Sequence, residues 1–249
     1  MDIVQLGNYL DQLLDVAAIR DYPNALNGVQ VQNTGEIRKV GLAVDACQAT
    51  IEKAVQRQCG MLLVHHGLFW SGLQPVRGAH YEKLAVLLHA NVGLYSCHLP
   101  LDAHPVLGNS RALADAIGLQ QLEPFGECND MKIGFKGTLT PQPAQLLGRD
   151  LEKKIGSPVR VIGDREVRSV GLVTGGAGDM FQQAVAEGLD CYITGEAPSH
   201  CYHEAMEAGV VLILAGHYAT ETGGVKAVGQ HLQTRFGLET EFLDHPTGM

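Results

Sequence analysis

The sequence predicts an α/β fold built from duplicated βαβ-like units, with a smaller segment inserted between the copies. Two observations carry that prediction. Short apolar runs alternate with amphipathic stretches of helical period, the pattern of buried strands with helices laid over them. In addition, Ile37 to His66 aligns without a gap on Val167 to Glu196: Arg38, Val40, Gly41, Leu42, Ala54 and Val55 recur as Arg168, Val170, Gly171, Leu172, Ala184 and Val185. Each copy reads strand, turn, amphipathic helix, buried strand.

Asn27-Gly28 in "ALNGVQV" marks a turn before a strand. The first copy ends in "MLLVHHGLFW" (Met61 to Trp70), an apolar run closed by two histidines. Adjacent side chains on an extended chain point to opposite faces, so His65 and His66 are expected to share a pocket only where the strand breaks off, at Gly67. Two readings stand: imidazoles bonded to backbone carbonyls, or metal ligation or catalysis. The similarity resumes in "GLYSCHLPLD" (Gly93 to Asp102) and "LILAGHYATE" (Leu212 to Glu221), each an apolar strand ending in His with a carboxylate four residues on. The pairs are His98 with Asp102 and His217 with Glu221. Helices are expected at Ser110 to Ile117 and Val225 to Phe236.

From His66 to His98 is 32 residues, whereas Glu196 to His217 is 21. The extra length lies in "LFWSGLQPVRGAHYEK", which holds the only tryptophan and reads either as a lid or as surface packing of Phe69 and Trp70. Between the copies, "MKIGFKGTLTP" is strand-like, "PAQLLGRDLEKKIG" helical with Pro near its start and Gly after its end, and "PVRVIGD" strand-like. No acid, His or Cys set converges there, so no chemistry is assigned to it. The expected organisation is residues 1–126 together with 190–249 as a metal-binding α/β domain, and 127–189 as an inserted second subdomain.

A chain of 249 residues with 45% hydrophobic content buries a sizeable core. Its longest apolar runs, such as Val210 to Ala215, are too short to cross a bilayer, and Met1 to Leu10 does not read as a signal peptide. Six scattered cysteines without a C-x-x-C pair point to a reduced, cytoplasmic protein. A net charge of −9 without a basic stripe opposes general nucleic-acid binding. Eleven histidines outnumber the 7 Tyr and the 6 Phe, and several close apolar runs.

The strand-end groups His65, His66, His98, Asp102, His217 and Glu221 mix imidazole and carboxylate, which suits first-row divalent metals rather than thiolate chemistry. With a bridging carboxylate the set is sized for two metals and a hydrolytic reaction. A serine hydrolase is not indicated, because no G-x-S-x-G occurs. "TGGAGD" (Thr174 to Asp179) lacks a dinucleotide or P-loop spacing; it reads as a tight turn, with phosphate binding as the rarer alternative. His80, His104, His200, His203 and His231 are assigned to surface or helix positions.

At "VHHG", "CHLPLDAHPVLGN" and "GHYATETGG" the sequence resembles the homologues of type 2 GTP cyclohydrolase I, a dinuclear-metal, Ngg-interacting-factor-three-like family. The resemblance runs from "NGVQV" to the C-terminal helix. It implies two divalent cations per subunit (Zn, Fe, Mn, Co or Ni) held by His65, His66, Asp102, His217 and Glu221, with His98 as a neighbouring group or proton shuttle. It also implies two interlocked α/β subdomains and a toroidal homohexamer. The activity it suggests is hydrolysis of a nucleotide-like small molecule, GTP ring opening first. A non-enzymatic scaffold that recruits a protein partner, a phosphoesterase and a peptidase remain alternatives.

Overall fold

The computed structural model describes residues 1–248. In chain order the elements are α1 (Ile3–Leu13), β1 (Gly28–Val31), β2 (Lys39–Asp45), α2 (Gln48–Gln56), β3 (Met61–His66), α3 (Ala79–Ala90), β4 (Gly93–Ser96), α4 (Leu99–Ala103) and α5 (Asn109–Ile117). There follow β5 (Gln120–Cys128), β6 (Met131–Pro143), α6 (Ala144–Ile155), β7 (Arg160–Ile162), β8 (Glu166–Leu172), a 3-10 turn (Gly178–Met180), α7 (Phe181–Ala186) and β9 (Cys191–Thr194). The chain closes with α8 (His200–Ala208), β10 (Val211–Leu214), α9 (His217–Thr220), α10 (Thr222–Phe236) and β11 (Glu239–Phe242). None of the helices among the described residues is long and apolar enough to cross a membrane.

The chain forms two compact α/β units, Met1–Leu101 with Val225–His245, and Asp102–Gly224 with residues 246–248. The first contains a five-stranded sheet in the order β1-β4-β3-β2-β11. Strands β4, β3, β2 and β11 are parallel, and β1 joins β4 antiparallel at one edge. Asp2 and Gln5 form a capping box that starts α1, whose Ile3, Leu6 and Leu10 are buried at helical spacing. The core of this unit includes Ala43, Ile51, Ala54, Leu62, Val64, Leu87 and Leu94.

The second unit contains a six-stranded sheet in the order β5-β6-β8-β9-β10-β7. Its centre, β8-β9-β10, is parallel, whereas β6 and β7 flank it antiparallel. Leu113, Leu147, Leu151, Val170, Ile193 and Ile213 lie in its core. Helices α5 and α6 stop at Gly118 and Gly156, both in the left-handed conformation that glycine tolerates. The inserted segment read from the sequence is therefore part of this sheet, with β6 beside β8 and β7 beside β10.

The duplication is present down to strand register. In one copy β2 pairs with β3 as Val40–Met61, Gly41–Leu62 and Leu42–Leu63. In the other β8 pairs with β9 as Val170–Cys191, Gly171–Tyr192 and Leu172–Ile193, the same spacing. The helices between them bury equivalent side chains, Ile51 and Ala54 against Phe181 and Ala184. Gly41 and Gly171 leave room for the residue three beyond the end of each helix: a Cβ would lie 3.1 Å from Cys59 Sγ in one copy and 2.8 Å from Leu189 Cδ1 in the other.

Two details differ from the sequence reading. The compact units divide at 101/102, 224/225 and 245/246, whereas the sequence suggests 126/127 and 189/190. Short apolar runs such as β9 and β10 fit either sheet by composition, and their hydrogen bonding to β8 and β7 puts them in the second. The second copy is also shifted by one residue at its end. Gly93 pairs with Met61 and Val211 with Cys191, so His98 matches Gly216 and Leu99 matches His217. The starts of α4 and α9 agree with that shift.

Candidate metal centre

Parallel strands deliver their functional groups at their carboxyl ends, and both units do so. In the first unit His65 and His66 are the last residues of β3, Asp45 is the last of β2, and His98 follows β4. Both histidines lie within the strand rather than beyond it, yet their ring centroids are 4.6 Å apart. His98 stands 5.0 Å from His65 and 5.7 Å from His66. Nitrogens of these three rings lie within 4.8 Å of one another, close enough to act as ligands to one ion.

In the second unit the groups are mostly acidic. His217 opens α9 and Glu221 caps its end; the i,i+4 spacing brings His217 Nε2 to 3.2 Å from Glu221 Oε1. Glu221 is only 3% exposed. Gly175, at positive φ, lies beside this pair, and any Cβ there would collide with Glu221 Oε1. Asp102 is buried and accepts hydrogen bonds from Asn109 Nδ2 (2.9 Å) and Thr174 Oγ1 (3.2 Å). Asn109 in turn accepts from the Gly224 amide at 2.7 Å.

All four histidines of the two clusters are anchored through Nδ1 on an oxygen. The partners are the Cys97 carbonyl for His65 (2.9 Å), Asp45 for His66 (2.9 Å), Asp21 for His98 (2.8 Å) and Glu196 for His217 (2.9 Å). Carbonyl and carboxylate oxygens only accept, so each Nδ1 donates; in His65, His66 and His98 this leaves the lone pair on Nε2, whereas His217 Nε2 also faces a carboxylate, Glu221 Oε1, and gives up its proton when a cation takes its place. That arrangement of outer acceptor and inward Nε2 is how proteins orient metal-binding imidazoles. The donor set thus fits divalent cations. Without one, the hydrogen bond to Glu221, opposed by burial and reinforced by Glu196, raises the His217 imidazole to about 9.

Thiolate chemistry is absent from these clusters. Burial pushes the Cys59 thiol up to about 11 and raises Cys191 and Cys201 as well. His200, Cys201 and Glu204 on α8 form a further group with ligand atoms within 4.8 Å, but Cys201 Sγ is directed to the Gly178 carbonyl. The "TGGAGD" turn is not a phosphate loop of free amides: the Gly175 N–H donates to Thr220 Oγ1 and the Ala177 N–H to Thr194 Oγ1. The loop after β3 begins packed, with Leu68 buried, Phe69 against the core and Trp70 edge-on to His98 at 4.7 Å. Beyond it Leu73, Val76 and Arg77 are exposed.

Sequence reasoning finds the inner groups and misses those behind them: Asp45, Glu196, Asp21, Asn109 and Thr174. Asn27 reads from the sequence only as a turn residue, and it bonds both Asp21 and the His98 amide. The ungapped repeat does hold one clue, since it sets Glu196 opposite His66.

Fold and clusters together define a two-unit α/β protein with imidazole and carboxylate groups gathered as candidate metal ligands at the ends of parallel strands. The chain belongs to the Duf34/NIF3 (NGG1p interacting factor 3) family, whose model matches residues 1–247. It is 43% identical over 258 residues, covering both chains in full, to a Halobacterium salinarum protein named GTP cyclohydrolase 1 type 2 homolog. A Pyrococcus horikoshii protein of the same name is 40% identical, again over both full lengths. Among solved structures, one from Thermus thermophilus is 39% identical with a TM-score of 0.92 and full coverage of both chains.

Proposed function

We propose that this protein is a metal-dependent hydrolase with a dinuclear centre, in which His65, His66, Asp102, His217 and Glu221 hold two divalent cations. The observation that carries this reading is the common anchoring of the histidines through Nδ1, which presents every Nε2 as a ligand. Bound cations supply Lewis acidity, lowering the pKa of a water and polarising a substrate oxygen. His98, beside His65 and His66, moves a proton to or from the reacting group, a task suited to imidazole near neutral pH. The substrate class is a nucleotide-like small molecule, with GTP ring opening the leading reaction; the names of the relatives support it. A chain of net charge −9 attracts such an anion only through local cations, and Arg77 on the exposed loop adds to them. The working form is a cytoplasmic, toroidal homohexamer.

The test is a panel of nucleotides and pterin precursors offered to metal-loaded protein, with substrate consumption followed by chromatography. GTP consumption that disappears on chelation supports the reading. In His98→Ala the metal is retained while turnover falls by roughly two to four orders of magnitude, the usual loss for a general acid or base. The family's own description, as an interacting factor, favours a second reading: a metal-binding scaffold that recruits a protein partner. Inertness of the loaded protein toward the whole panel favours that scaffold.

A further inference from the structure

His98 is held more closely than a surface imidazole needs to be. Its Nδ1 meets Asp21 Oδ1 at 2.8 Å, and its own backbone N–H donates to Asn27 Oδ1 at 2.8 Å. Asn27 Nδ2 then donates to Asp21 Oδ2 at 2.8 Å, closing a ring of hydrogen bonds. The Asp21 carboxylate also accepts from the Leu99 N–H at 2.9 Å and the Tyr22 N–H at 2.7 Å. Its side chain is only 7% exposed and that of His98 13%. Trp70 packs on His98 at 81° and Tyr22 tilts against it at 6.0 Å, so the ring is confined on its flanks as well.

From this arrangement we infer that Asp21, itself fixed by Asn27, is the positioning residue that sets the tautomer and orientation of His98. The inference rests on the hydrolase reading only for its catalytic consequence. Asn27 Nδ2 and the Tyr22 and Leu99 amides are donors with no acceptor capacity, so Asp21 serves them as a carboxylate. A carboxylate facing Nδ1 requires the proton on Nδ1. His98 Nε2 then holds the lone pair and is the atom that takes up a proton from a substrate or water. An amide at position 21 removes that requirement: it can present its NH2 to Nδ1 and accept the opposite tautomer. Loss of the carboxylate behind a catalytic imidazole costs orders of magnitude in turnover where the tautomer is wrong.

The experiment uses zinc-loaded, 15N-histidine-labelled protein, with the His98 ring assigned by comparison with His98→Gln. In the wild type the His98 proton is expected on Nδ1; a proton on Nε2 overturns the inference, whether or not any substrate is turned over. Asp21→Asn is expected to retain zinc and the thermal midpoint while the His98 proton moves to Nε2 or exchanges between the two sites. Turnover in that variant should fall about 100-fold or more with KM little changed, and Asp21→Glu should recover part of it. An unchanged His98 signature in a folded Asp21→Asn contradicts the inference. If Asp21→Asn does not fold, the wild-type spectrum still decides it. A wild type with the Nδ1 proton and no turnover on any nucleotide refutes the hydrolase reading and leaves the positioning role standing.

Discussion

In the first βαβ unit, β2 and β3 pair with Val40 opposite Met61 and end in Asp45, His65 and His66; in the second, β8 and β9 pair with Val170 opposite Cys191 and lead to Thr174, Gly175 and Glu196. The frameworks match residue for residue, and the groups at their ends do not. In the first unit an acid on one strand orients an imidazole on the next, Asp45 behind His66. In the second the acid stands where His66 would be, as Glu196, and orients an imidazole one strand further on, His217. Duplication thus preserves the place where chemistry is delivered, the carboxyl end of a parallel strand, and leaves its content open.

The comparison makes the anchoring acids the most informative point of attack. Asp45→Ala releases His66 Nδ1, and metal affinity is expected to fall roughly 10- to 100-fold, as for other lost outer partners of a ligating imidazole. Isothermal titration with zinc reads this directly, and unchanged affinity would show that the acid behind His66 is dispensable. In the second unit the place matching Asp45 is Gly175, at φ +69 against Glu221. Gly175→Ala adds both left-handed strain and a clash, so a loss of roughly 2 kcal/mol is expected in urea unfolding of the metal-free protein. A neutral result would mean that Glu221 moves aside freely.

His217 gives the second unit a pH dependence in the metal-free state. Its folded pKa is raised from 6.5 to about 9, so the stabilisation is complete below about 6.5 and is lost as pH rises through about 9. With the side chain about one-third exposed, solvent screening reduces the effect to on the order of 1 kcal/mol. Thermal midpoints of metal-free wild type should decline across pH 6.5 to 9 more steeply than those of His217→Gln. Parallel curves would discount the Glu221 pairing. The smallest expected effect lies at the turn after each repeat helix, where Gln58 and Gly188 both have positive φ, 57° and 67°. Gln58→Gly relieves a strained side chain and should stabilise by roughly 0.5 kcal/mol, whereas Gly188→Gln should cost about 1 kcal/mol. A destabilising Gln58→Gly or a neutral Gly188→Gln in urea unfolding would show that positive φ at this turn carries no strain.

The parts legible in the sequence are those written in local pattern. Apolar runs with an amphipathic helix between them expose both βαβ units, and His or carboxylate at strand ends singles out His65, His66, His98, Asp102, His217 and Glu221 as candidates. Pairing between distant strands is not written locally, which is why composition alone assigns β9 and β10 to the other unit. The one-residue shift of the second copy is hidden because H-x-x-x-[DE] looks alike in either register. Asp21, Asp45 and Glu196 escape for a different reason: a single acid in a loop or at a strand end has no periodicity, and only the fold brings it to an imidazole.

The proposed function stands on the Nε2 atoms of His65, His66 and His217 and the carboxylates of Asp102 and Glu221 holding two divalent cations. Anomalous diffraction from crystals of the manganese- or zinc-loaded protein, with metal analysis of the same sample, tests it most directly. Two ions per chain are expected, with Nε2 of His65, His66 and His217 and oxygens of Asp102 and Glu221 as ligands, and incomplete occupancy in Glu221→Ala. Full two-ion occupancy in Glu221→Ala, or ions bound through Nδ1 or elsewhere on the chain, would contradict it.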